Sequence, residues 1–145
     1  MLGHFHRALD VLIPAAQAAG TQLLIENMPF AFLPDAEALL KAIDSYGNAD
    51  LGILYDVANA HFIGEDIAAG LRTVRKRLSL VHFSDTTRAV YRHDPFGKGD
   101  VSLDGLPAVI AEIGYQEVLM LEIISSTPDT DIANSAHRLR QAGFA

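Results

Sequence analysis

Four short apolar runs divide this chain, and each carries a side chain able to hold a cation at or near its carboxyl end. TQLLIEN (21–27) closes on Glu26-Asn27, LGILYDVA (51–58) contains Asp56, LSLVHFSD (78–85) carries His82 and Asp85, and EVLMLEII (117–124) contains Glu122. Runs of this kind read as buried strands, because a strand covered on both faces has no polar side to show. Between them the period becomes helical. Residues 1–19 align Leu2, Phe5, Leu9, Leu12, Ile13 and Ala16, with Gly20 as the stop and Pro14 expected to kink or split the helix. Helices are predicted over 34–47, with Asp35 near the start and Gly47 at the end, and over 64–78, with acids early and bases late. Two more are predicted over 103–114 and 127–143. Strands alternating with helices predict an α/β fold with a parallel sheet covered on both faces. No low-complexity linker interrupts the pattern, so residues 1–145 are expected to form a single domain.

The strand ends are where chemistry is expected, because parallel α/β folds build their sites at the carboxyl ends of the strands. A carboxylate that follows four or so apolar residues, as Glu26 and Glu122 do, is costly to bury unpaired. Taken singly, Asp56 could cap a helix and His82 could be a satisfied core histidine. Taken together, Glu26, Asp56, His82 and Glu122 would satisfy one another through a cation. Three carboxylates and one imidazole suit a single Mn²⁺, Co²⁺, Mg²⁺ or Zn²⁺ ion. After the third strand, residues 80–100 add Arg88, His93 and a Gly-Lys-Gly segment, which reads either as a flexible turn over a substrate or as a plain turn before a helix. His4, His6 and His137 sit on helical stretches and read as surface or helix-face residues. His61 stands on the active-end side of its strand, with its role open.

Composition removes other classes. The 145 residues are 50% hydrophobic and carry a net charge of −7, so the chain is long enough for a core and poorly suited to phosphate backbones. It contains no cysteine, which excludes disulfides and thiolate metal sites. No apolar run reaches the roughly 18 residues of a membrane span, and MLGHFHRALD lacks the layout of a signal peptide, so a cytoplasmic location is expected.

The succession LLIEN, LGILYDVANAH, LVHFSD…R…H…GKGDVSLDGL and VLMLEI resembles the xylose isomerase-like TIM barrels, the superfamily of sugar isomerases and epimerases, keto-inositol and dehydroshikimate-type dehydratases, and endonuclease IV-like AP endonucleases. The resemblance implies the C-terminal half of a (β/α)8 barrel, about strands 5 to 8. It implies that Glu26, Asp56, His82 and Glu122 bind one divalent metal. Glu26 and Glu122 would also be the paired acid–base carboxylates that move a proton α to a sugar carbonyl through a metal-stabilised enediolate. Arg88, Asn59 and His93 correspond to substrate-contacting or, for His93 in the AP endonucleases, zinc-binding positions. Asn59 stands where many members have a histidine, and Tyr91 where the AP endonucleases have an aspartate. The three-zinc set of those nucleases is therefore incomplete here, and the expected substrate is a small sugar rather than nucleic acid.

Length sets the remaining expectation. A complete barrel needs about 250 residues. An open half-barrel would expose two sheet edges and an apolar inner face. The expected states are an oligomer, pairing with a complementary half-barrel, or a truncated, non-catalytic chain.

Overall fold

The structure, a computed structural model, describes residues 1–144. Ten elements follow in the order α1 (Leu2–Ala18), β1 (Leu24–Glu26), α2 (Ala36–Tyr46), β2 (Gly52–Asp56), α3 (Val57–Ile63), α4 (Ile67–Val74), β3 (Leu78–Phe83), α5 (Leu106–Glu112), β4 (Leu119–Leu121) and α6 (Pro128–Ala142). The helix ends follow their capping chemistry. Asp35 and Asp66 accept the backbone N–H groups of Ala38 and Ala69 at 2.8 and 3.0 Å. Gly47 closes α2 with φ of 78°, a left-handed turn that a side chain would strain.

The alternating pattern is present, with three corrections. Pro14 does not split α1, which runs through it and buries Leu9 and Ile13. The apolar run 51–58 is not one strand. It turns into α3 directly after Asp56, because the Asp56 side chain accepts the Asn59 N–H and starts a helix there. The helix predicted over 64–78 is only α4, its last residue belonging to β3.

The four strands are parallel and lie side by side in sequence order. The register decides which side chains share a face. Glu26 lies opposite Leu54, Asp56 opposite His82, and His82 opposite Met120, two residues before Glu122. Side chains two apart on a strand point the same way, so Glu26, Asp56, His82 and Glu122 all rise from one face. The alternate positions, Ile53, Tyr55, Val81 and Phe83, point to the other face and are fully buried in the core that the helices cover. The sheet is thus not sealed on both sides as its apolar runs predicted. On the ligand-bearing face Leu54 and Leu80 are half-buried, and Met120 is 46% exposed.

The loop after β3 is tied down rather than free. Asp85 and Asp94 exchange backbone hydrogen bonds of 2.8 Å in each direction. The Asp85 carboxylate accepts the N–H groups of Gly97, Gly99 and Val101 at 2.7, 2.9 and 3.0 Å. A side chain at Gly99 would stand 2.2 Å from the Thr86 carbonyl oxygen, so the Gly-Lys-Gly segment needs its second glycine for close approach. The Gly-Lys-Gly segment is therefore a turn folded onto one carboxylate, not a flexible cover. Lys98 points to Asp131 of α6, 3.8 Å away.

Candidate metal centre at the strand ends

Glu26 and Asp56 are the last residues of β1 and β2, His82 is the penultimate residue of β3, and Glu122 follows β4 directly. One ligand atom from each lies within 4.8 Å of the other three. His82 Nδ1 is 3.1 Å from Glu122 Oε2 and 4.0 Å from Asp56 Oδ2. The Glu122 backbone N–H bonds the Phe83 carbonyl at 3.1 Å, which carries the β3–β4 pairing up to the site.

Asp56 divides its two oxygens between structure and chemistry. Oδ1 accepts the Asn59 N–H at 2.6 Å and caps α3. Oδ2 is buried without a hydrogen-bond partner and faces His82 and His93. Asn27, also buried, clamps the Asp56 backbone from both sides: its Nδ2 donates to the Asp56 carbonyl at 3.0 Å, and its Oδ1 accepts the Asp56 N–H at 2.7 Å. An orphaned carboxylate oxygen in the core, aimed at two more carboxylates and two imidazoles, is an expensive arrangement unless a cation shares it. The residues present therefore fit a divalent ion with mixed oxygen and nitrogen ligands.

The electrostatics agree with that fit. Burial, together with Glu26 and Glu122 nearby, raises the Asp56 carboxyl well above its ordinary range. Burial, then Glu122, raises Glu26 as well, against partial relief from His82 and from the Asn59 side chain. Burial lowers His93 and favours its neutral form. Tyr91 is pushed up to about 12, by burial first and then by the surrounding carboxylates, so its phenol stays protonated at neutral pH.

Asn59 is buried at the first turn of α3, where its Nδ2 donates to Glu26 Oε1 at 3.1 Å and to the Asn27 carbonyl at 2.8 Å. His93 lies against the cluster, with Nδ1 3.3 Å from Glu122 Oε2. The loop presents it because the Ile124 N–H bonds the His93 carbonyl at 2.8 Å. Arg88 is placed elsewhere. It is exposed, with its guanidinium beside Gly64, and makes no hydrogen bond to the four ligand residues among the described residues. Asp85 is turned away to its loop. His61 pairs with Asp100 at 2.7 Å.

Three participants are hard to find by reading strand ends alone: Asn27, Ser84 and Tyr91. Tyr91 hydrogen-bonds both Asn59 and His93 and packs edge-on against Phe30 and Phe62, with ring centroids 5.1 and 5.3 Å away. The available signal was a polar residue directly beside a chemical one, as in Glu26-Asn27 and Ser84-Asp85.

The model of the xylose isomerase-like TIM barrel family matches residues 2–142. This chain belongs to that family. The L-ribulose-5-phosphate 3-epimerase of Salmonella paratyphi C is 24% identical over 132 residues, which are 91% of this chain and 46% of that enzyme. A crystal structure of a D-tagatose 3-epimerase-like protein superposes with a TM-score of 0.84 at 22% identity, over 97% of this chain and 54% of that one. D-psicose 3-epimerase with D-tagatose, from Clostridium cellulolyticum H10, gives a TM-score of 0.80 at 14% identity, over 97% and 56%. This family member thus spans about half the length of the relatives it matches. No helix among its described residues is long and apolar enough to cross a membrane.

Proposed function

We propose that this chain, a single partial-barrel domain over residues 1–145, supplies the metal-binding and acid–base half of a sugar isomerase or epimerase. The observation that carries the reading is the convergence of Glu26, Asp56, His82 and Glu122, with the Asp56 Oδ2 atom buried and unpartnered among them. We read the chain as the C-terminal half of the barrel, strands 5 to 8, on the order of its strand-end ligands. The epimerases named above support a ketose or ketose phosphate as the substrate class.

A divalent ion (Mn, Co, Mg or Zn) bound by the four residues would supply a Lewis acid for the sugar carbonyl and its neighbouring hydroxyl. The protein's own residues do the proton transfer. One of Glu26 and Glu122 removes the proton α to the carbonyl, and the other returns one from the far side. Glu26 ends β1 and Glu122 directly follows β4, the two outer strands of the sheet, which supports opposite flanks for the two carboxylates. Asn59 holds Glu26 in place through its side-chain amide, and His93, packed beside Glu122, lines the site with its ring.

The exposed ligand-bearing face, together with the chain's half-length match to its relatives, supports a second element: a complementary half-barrel, from another copy or another chain, closes the substrate pocket. The test is exchange of the α-hydrogen of a ketose panel with solvent deuterium, run with Mn²⁺ or Co²⁺ and with native mass measured on the same sample. Metal-dependent exchange that disappears in Glu122→Gln is expected. Metal binding without exchange in any oligomeric state would leave a non-catalytic half-barrel, and absence of metal binding would end the reading.

A further inference from the structure

Around His93 the proton positions are dictated by the neighbouring atoms. The Asn59 Nδ2 faces two acceptors, Glu26 Oε1 at 3.1 Å and the Asn27 carbonyl at 2.8 Å, so the amide has one workable orientation and Oδ1 is an acceptor. The Tyr91 hydroxyl lies 2.7 Å from that Oδ1 and gives its only proton there. His93 Nε2 lies 2.8 Å from the same phenol oxygen, and must then carry a proton of its own and donate it. In neutral His93 this leaves Nδ1 bare, and the buried Ser84 hydroxyl, 2.9 Å away, supplies its proton to it.

We propose that Ser84, His93, Tyr91 and Asn59 form a one-way hydrogen-bond relay that ends on Glu26, with Tyr91 as the positioning residue that sets its direction. Every donor points toward the Glu26 carboxylate. Such aligned bonds polarise one another and fix Oε1. Glu122 receives no donor from the relay; its Oε2 lies 3.3 Å from His93 Nδ1, an approach of two acceptors that a cation or a proton on Glu122 would relieve. The relay therefore makes the two carboxylates inequivalent. Tyrosine is needed at 91 because the position must accept from a histidine and donate to an amide oxygen. An ionised aspartate there has no proton to pass on. The order from the His93 Nε2–H to Glu26 stands on geometry, the bare Nδ1 belongs to neutral His93, and the use of the relay in catalysis rests on the proposed role of Glu26.

The test is the ¹⁵N NMR of the histidines in the metal-free 145-residue chain, with His93 assigned by a His93→Gln variant. Nε2–H with bare Nδ1 is expected for His93 in the wild type. Tyr91→Phe should move the tautomer ratio toward even by about tenfold, the ratio one hydrogen bond supports. Phe62→Leu removes a packed ring but not the hydroxyl, and should keep the wild-type tautomer. Nδ1–H as the main form in the wild type, an unchanged tautomer in Tyr91→Phe, or loss of it in Phe62→Leu would each overturn the relay. Co²⁺ titration adds a second readout: Tyr91→Phe should bind about tenfold more weakly, and equal affinity would remove its positioning role. A wild-type chain with the expected tautomer but no Co²⁺ binding would sink the metal reading and leave the relay standing.

Discussion

The two faces of the sheet do opposite jobs. On the helix side, Ile53, Tyr55, Val81 and Phe83 are sealed, and Phe83 packs edge-on against Phe144 at 5.1 Å. On the other side, the same strands present Glu26, Asp56, His82 and Glu122 among half-exposed leucines and Met120. Stability comes from the first face through apolar burial. The second face opposes it, since three carboxylates are crowded where burial and mutual repulsion raise two of them. A strand with period-two alternation lets one backbone carry both without compromise.

That contrast can be broken most forcefully from the sealed face. Phe83→Ala should cost about 3–5 kcal/mol, read as a drop in the urea midpoint and loss of cooperative melting. The crowded face should respond the other way. Asp56→Asn keeps an oxygen for the α3 cap and places an amide donor where the orphaned oxygen stood. The metal-free chain should therefore melt higher, while Mn²⁺ affinity measured by calorimetry falls about 100-fold. A lower melting temperature would show that Asp56 is already stabilised without an ion.

A pH series sharpens the same point. Asp56 and Glu26 have folded pKa values above their ordinary 3.8 and 4.5, so they bind protons more readily folded than unfolded. The stability they contribute is complete below the unfolded carboxylate range and is lost as pH rises through the raised folded values. Urea midpoints of the metal-free chain should accordingly fall as pH rises above about 4, less steeply in Asp56→Asn, and a divalent ion should restore them at neutral pH. The smallest effect belongs to Met120→Lys, within about 0.5 kcal/mol for the isolated chain. A much larger loss, accompanied by a change in native mass, would mean that this face is covered by a second half-barrel.

Much of this was legible in the chain. Apolar runs alternating with helical periods gave the parallel α/β order, and a carboxylate after four apolar residues marked Glu26 and Glu122, because little else explains an acid there. At two strand ends the structure turns on a carboxylate with two possible partners. Asp56 reads as a strand end and a possible cap, and it is both; only Val57 and Ala58, counted with the apolar run, belong to α3 instead. Asp85 stands beside His82 at the end of the third run, and four backbone N–H groups claim it, those of Thr86, Gly97, Gly99 and Val101. Burial on both faces was inferred from apolar character that a half-open sheet shares. The relay through Tyr91 depends on distances across the loop that no spacing in the sequence encodes.

The Asp85 knot also bears on how such a protein can be re-engineered. The segment from Asp85 to Val101 takes its shape from a carboxylate at its own beginning and backbone amides near its own end. It is a cassette folded on its own carboxylate that presents His93 and Tyr91, tied to the rest of the chain by the Ile124 N–H on the His93 carbonyl and by the Ser135 hydroxyl on the Phe96 N–H. Transplanted between two parallel strands of another barrel, it should bring its geometry with it, and sequence changes at its exposed tip around Arg88 and Val90 should vary what it meets without untying it.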